Sequence, residues 1–133
     1  MGWDRNPRSI LEEIYEDDFG GAFRDISLQG LRGVVLKTPV DTGRARGAWL
    51  VSIGETSAAS VARADKTGQA TITAGGATIS GAELGDVIVL ENNVDYAVLL
   101  EQGPLKFGSF KSGAQAPARM VDRTLQELAA NFA

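Results

Sequence analysis

The chain has 133 residues, a formal net charge of −4 and a pI near 4.8, with neither cysteine nor histidine. That excludes a disulfide framework, a zinc–thiolate site, a thiol nucleophile and every Ser–His or Cys–His pair, so catalysis would fall to carboxylates, lysines, hydroxyls or tyrosine. The acidic balance argues against a dedicated duplex-DNA binder, which carries a basic face.

One domain spanning residues 1–133 is expected from the length, with enough chain to bury a core without staples. The first ten residues, MGWDRNPRSI, lack the apolar stretch of a signal peptide, and no run reaches the length of a membrane span, so a soluble cytoplasmic protein is expected. Residues 9–37 are helical in pattern. Ser9 is the expected N-cap, with Glu12 three positions on, and Ile10, Leu11, Ile14, Tyr15, Phe23, Ile26, Leu31, Val34 and Val35 carry the periodicity. Gly20 and Gly21 interrupt it, giving two helices or one long kinked helix, and Pro39 ends it.

Beyond Pro39 the period changes to two. GAWLVSIGE alternates Trp49, Val51 and Ile53 on one side, as a strand does. Residues 56–68 are small and polar and read as a loop. QATITAGGATI and DVIVLENN, rich in β-branched residues, read as two further strands, with Gly75-Gly76 as a hairpin turn or a bulge. Asp95 is the expected cap of a short helix, YAVLLEQ, closed by Gly103 and followed by Pro104. A loop with Phe107 and Phe110 follows. Pro117 then opens a last helix carrying Met120, Val121, Thr124, Leu125, Leu128 and Phe132 on one stripe. The fold class expected is α+β: an antiparallel meander of three to four strands, with a long N-terminal helix, a short helix and a C-terminal helix packed on one face.

The motif that most invites a chemical reading is TPVDTGRARGAW, residues 38–49. Asp-Thr-Gly is the signature of homodimeric aspartic proteases, in which two facing aspartates share a proton. Here the tripeptide follows a helix and a proline rather than an apolar strand. Arg44 follows it directly and would crowd such a site and hold the aspartate ionised. The same letters build a turn: Asp41 and Thr42 accept from nearby backbone amides, and Gly43 permits a positive φ. Arg44 and Arg46 are then either solvated surface cations or partners for Glu101 or for an acid on another subunit. Glu101, at a helix end where an acid is disfavoured, needs a partner, and the turn at residues 41–44 is the expected one. Glu16, Asp17 and Asp18 point in different directions around a helix and read as a solvated face rather than a metal site. Tyr96 reads as an amphipathic core residue. Phe107 and Phe110, flanked by Lys106 and Lys111, could stack on single-stranded nucleic acid, but a loop of that composition reads better as a subunit contact. No GxGxxG or GxxxxGK[ST] spacing occurs, and no cofactor or metal is expected.

Taken in order, TPVDTGRARGAW, VLENNVDYAVLLEQG and GAQAPARMVDRTLQEL resemble the tail-completion family of long-tailed bacteriophages, also called head–tail joining, neck or tail-terminator proteins. The positions that carry the resemblance are Pro39, Asp41, Thr42, Gly43, Arg46, Trp49, Asn92 or Asn93, Tyr96, Ala97, Glu101, Gly103, Gln115 and Pro117, across residues 9–132. Ala45 stands where the family usually has leucine, and the loop around Phe107 differs from that of many members. The resemblance implies a non-enzymatic structural virion protein, assembled in the host cytoplasm. Copies would form a ring, commonly a hexamer, that completes the tail at the head–tail junction and meets the head-side connector and the tail tube. DNA would pass through the lumen without specific binding, a passage that an acidic wall eases by repelling phosphates. Pro39, Asp41, Thr42, Gly43, Tyr96, Glu101 and Gly103 would be the structural motif. Arg44, Arg46, Lys106, Phe107, Phe110 and Lys111 would be the subunit or partner contacts. In such a ring, residues 56–68 and 106–113 would order only on docking.

Overall fold

Helices dominate. The computed structural model describes residues 6–14, 19–40, 42–103 and 118–132. Their elements are α1 (Pro7–Ile14), α2 (Gly21–Lys37), α3 (Arg44–Gly47), β1 (Trp49–Ile53), α4 (Gln69–Ser80), β2 (Ile88–Asn92), α5 (Ala97–Gln102) and α6 (Met120–Asn131). The chain is thus α+β as expected, but the sheet has two strands among the described residues, not three or four. β1 and β2 pair antiparallel, with Trp49 opposite Asn92 and Ile53 opposite Ile88.

The missing strand is α4. QATITAGGATIS has the β-branched content of a strand, but its buried residues are Thr71, Gly75 and Ile79, four apart on one helical face. Gly75 is neither a turn nor a bulge. A Cβ there would overlap the Leu31 side chain of α2 and come within 2.7 Å of Val51 on β1. The glycine lets α4 lie close against both elements, and the packing gained outweighs the weak helix propensity of the segment.

The N-terminal region also differs from the expectation. α1 begins at Pro7, where a proline is pre-shaped for a first helical turn. Its cap is Asn6, whose Oδ1 accepts from the Arg8 amide, and Ser9 lies inside the helix. The helical residues described before Pro39 fall in α1 and α2, and residues 15–18 between them lie outside the described residues.

Leu31, Val34 and Val35 of α2, Trp49 of β1, Ile79 of α4 and Met120 of α6 form the core, with Val51, Leu90 and Leu100 packed around them. α2 is the central element and packs along both α4 and α6, while α4 also packs on β1. One polar residue stands at the centre. Thr38 is fully buried and takes the Trp49 indole N–H at 2.8 Å. Its single hydroxyl hydrogen goes to the Val34 carbonyl at 2.6 Å, so the Met120 sulfur at 3.0 Å is a packing neighbour of that oxygen. The Thr38 hydroxyl and the Trp49 indole are therefore satisfied by each other and by a helix-end carbonyl. No helix among the described residues is long and apolar enough to cross a membrane.

Candidate functional site

The segment after α2 has to reverse the chain within a few residues and deliver Trp49 to the core. Gly43 makes the reversal. Its φ is +86°, and a Cβ there would meet the Asp65 and Lys66 amide nitrogens at 2.7 Å, so the turn can close only without a side chain. Its carbonyl accepts from the Gly47 amide at 2.8 Å, forming α3, and from the Asp65 amide at 3.0 Å. Gly47 in turn lies directly against the Arg63 carbonyl. Thr42 Oγ1 accepts from the Arg44 amide at 3.3 Å, a local turn bond of the kind expected. Asp41, Lys106, Phe107, Phe110, Lys111, Gln115 and Pro117 lie outside the described residues.

Arg46, expected among the contact residues, is committed within the chain. Its guanidinium donates to the carbonyls of Thr38 (Nε at 3.2 Å, Nη2 at 2.8 Å), Leu36 (3.1 Å) and Lys66 (2.8 Å). The last carbonyls of a helix lack intrahelical partners and carry its negative end, so a planar cation with several donors suits them. Arg46 thus ties the end of α2 to the approach of α4, a role that no sequence spacing reveals because its partners are backbone atoms.

Asp65 completes the same corner and was not singled out from the sequence. The carboxylate is buried and caps α4. Oδ1 accepts from the Gly68 amide (3.0 Å) and the Thr67 hydroxyl (3.3 Å); Oδ2 accepts from the Thr71 amide (2.8 Å) and hydroxyl (2.7 Å). Burial raises its pKa, but the bonds from Thr71, Gly68 and Thr67 together outweigh burial and hold it below the ordinary value. The signal in the sequence was an aspartate followed by threonine and glycine ahead of a helix, which is a capping pattern.

Arg44 is the opposite of Arg46. It is exposed, and its guanidinium carbon lies 5.8 Å from the centroid of the Tyr96 ring, a cation–π contact. No carboxylate among the described residues pairs with it. It divides two shallow concavities. One, about 220 Å³, is lined by Pro39, Val40, Thr42, Gly43, Arg44, Ala45, Tyr96 and Leu100. The other, about 150 Å³, lies toward Ser60, Val61, Asn93 and Asp95. The fold therefore brings Pro39, Thr42, Gly43 and Tyr96 to one place across more than fifty residues of chain. Asn92 joins them by donating its side-chain amide to the Ala45 carbonyl at 2.8 Å.

Glu101 does have a partner, but it is not the turn at residues 41–44. Its carboxylate accepts from the Val121 and Asp122 amides at 2.8 and 3.2 Å. These are orphan N–H groups in the first turn of α6, whose own N-cap residue, Arg119, makes no side-chain cap. Gly103 closes α5 at φ +81°, its amide donating to Leu99. Asp95 does not cap α5, which has Tyr96 at that position and no side-chain cap bond.

On the sheet face away from the core, Glu91 holds the segment after β1. It accepts from the Thr56 hydroxyl, the Ser57 amide at 2.7 Å and the Ser52 hydroxyl at 3.3 Å. The bonds from Thr56 and the Ser57 amide, Thr56 first, with smaller ones from Asn93 and the Ala58 amide, lower its pKa to about 2. Residues 56–58, expected to order only on docking, are thus tied to β2 within the chain. Among the described residues no cluster of three acidic side chains could hold a metal ion. Comparison with protein-family models, curated proteins and solved structures finds no match to this chain.

Proposed function

We propose that the chain is a structural subunit of tail-completion type. Copies of it assemble into a ring at the head–tail junction of a long-tailed phage, cap the tail tube and meet the head-side connector, and DNA passes through the lumen. The observation that carries this reading is the convergence of Pro39, Thr42, Gly43 and Tyr96 on one concavity with Arg44 facing outward over the Tyr96 ring. Pro39, Thr42, Gly43 and Tyr96, four of the residues that resemble the family, are far apart in sequence yet line a single concavity, where they act on backbone geometry and side-chain stacking. An arginine with no ion-pair partner among the described residues, set on a rigid corner, is suited to an acid on another subunit, because its donors are already oriented. The excess of acidic residues leaves a wall that repels phosphate.

Light scattering and negative-stain imaging of the purified chain test the reading. Rings or stacked rings are expected, and Arg44→Ala is expected to shift them toward monomer. A chain that stays monomeric at every accessible concentration, alone or with tail-tube and connector proteins, would overturn it. So would peptide cleavage that Asp41→Asn abolishes.

A further inference from the structure

We propose that residues 56–62 are a strap that Glu91 latches to the end of β2, and that releasing the latch opens the concavity beside Arg44. The strap belongs to the single chain and does not depend on a ring forming.

Residues 56–62 lie in neither helix nor strand, and residues 56–60 are exposed. Among the described residues, the hydrogen bonds tying this segment to the rest of the chain end on two side chains. Glu91 accepts from the Thr56 hydroxyl, from the Ser57 amide at 2.7 Å and, at 3.4 Å, from the Ala58 amide. Asn93 donates to the Ala59 carbonyl at 2.8 Å and to Glu91 at 3.3 Å, so the two holders brace each other. Successive backbone amides converging on one carboxylate make an anion-holding concavity of the nest kind. Closing it puts Ala58 at φ +53°, the left-handed region that a Cβ disfavours. The bonds to Glu91 hold that conformation, and without them the backbone relaxes to an extended one.

Both ends of the segment are fixed. Upstream, Gly54 turns the chain out of β1 at φ +98°, and its amide donates to the Val87 carbonyl at 2.8 Å. Downstream, the chain is pinned to the corner. Arg63 Nε donates to the Gly47 carbonyl at 3.1 Å, and the Asp65 amide donates to the Gly43 carbonyl at 3.0 Å. Between the latch and that pin, Ser60, Val61 and Ala62 wall the 150 Å³ concavity together with Arg44, Asn93 and Asp95. Swinging residues 56–62 away therefore removes one wall of the space that flanks Arg44, while the corner stays in place. Opening of this kind is local, because the segment is held by a few exposed hydrogen bonds and the core by packing. Glu91, on the sheet face away from the core, thus governs access to an arginine on another element.

Amide exchange and thiol labelling of the full chain test the latch. In the parent, the Ser57 amide is expected to exchange well below its unstructured rate. Glu91→Ala is expected to speed it by at least about tenfold and to leave the Gly68 and Thr71 amides, which Asp65 holds, unchanged. Ala58→Pro, which can neither adopt a positive φ nor donate an amide hydrogen, is expected to do the same, whereas Ala58→Gly is expected to keep exchange slow. The chain has no cysteine, so Val61→Cys supplies a single thiol in the wall of the concavity. Its reaction with a maleimide is expected to quicken severalfold when Glu91→Ala is added. A Ser57 amide that exchanges at the unstructured rate in the parent would overturn the proposal. So would Glu91→Ala and Ala58→Pro variants that loosen Gly68 and Thr71 as much as Ser57, since the fold rather than a latch would then have been lost. Val61→Cys labelling that ignores Glu91→Ala would overturn it too, because the carboxylate would not control the concavity.

Discussion

The corner at residues 38–47 and the face formed by β2, α5 and α6 make opposite use of similar side chains. At the corner, nearly every polar group is answered inside the chain: Thr38 by Trp49 and Val34, Arg46 by three carbonyls, Asp65 by two amides and two hydroxyls. On the second face, the comparable network among the described residues is Glu101 on the first amides of α6, and Val98, Val121 and Leu125 beside it are exposed. A saturated polar network rigidifies and offers little to a partner, while uncovered apolar surface gains free energy only when something lies on it. Arg44 and Arg46 show the same division two residues apart: one holds the fold, the other faces out.

The contrast can be broken by substitution. Trp49→Ala removes the core's large aromatic and leaves the Thr38 hydroxyl without its donor. It is expected to destabilise by about 3–5 kcal/mol in urea denaturation, the most of any change considered. Arg46→Ala is expected to cost about 2 kcal/mol, because several carbonyls lose a charged donor at once. Arg46→Lys should recover little, since a single ammonium cannot reach the Thr38, Leu36 and Lys66 carbonyls together. If Arg46→Ala left the urea midpoint unchanged, the corner would not be the rigid region described. Glu101→Ala should cost about 1 kcal/mol as the loss of a helix cap, read by the same denaturation.

Acid should weaken the chain through carboxylates that the fold keeps ionised. Asp65 and Glu91 both have folded pKa values below their ordinary ones, Glu91 moving from 4.5 to about 2. A depressed carboxylate contributes stability that is fully present above its unfolded pKa and is lost as pH falls through the folded value. Melting temperature should therefore be insensitive to these two groups from neutral pH down to about 5 and fall between about 4.5 and 2. Asp65→Asn should flatten the part of that fall due to Asp65. It should also lower stability at neutral pH by about 1 kcal/mol, because an amide nitrogen turned toward the Thr71 amide cannot accept from it. An acid limb unchanged in Asp65→Asn would show that the buried carboxylate does not carry it. Arg44→Ala is expected to have the smallest effect on folding, within about 0.5 kcal/mol, while shifting light scattering toward monomer.

Several elements were legible because their signals are local. Period-two spacing placed Trp49, Val51 and Ile53 in β1. The apolar run DVIVLENN placed β2, Gly103 closed α5, and the Met120–Leu128 stripe placed α6. The turn chemistry of Thr42 and Gly43 was also legible, since a positive φ and a short hydroxyl acceptor belong to the residues themselves. The partner of Glu101 was not, because two amides at the start of α6 are invisible in a list of side chains. Nor was the internal role of Arg46, or the helix at residues 69–80, whose Gly75 meets Leu31, more than forty residues upstream.

Residue order thus settled the reversal at Thr42 and Gly43, the alternation of β1 and which chemistries lack the side chains they need. Those are properties of neighbouring residues and of composition. Folding settled which charges are answered at home and which face outward, because that depends on distances between segments far apart in the chain. Two arginines in one short motif offer the same chemistry, and only their position relative to a helix end and a tyrosine ring separates the one that holds the fold from the one that faces out.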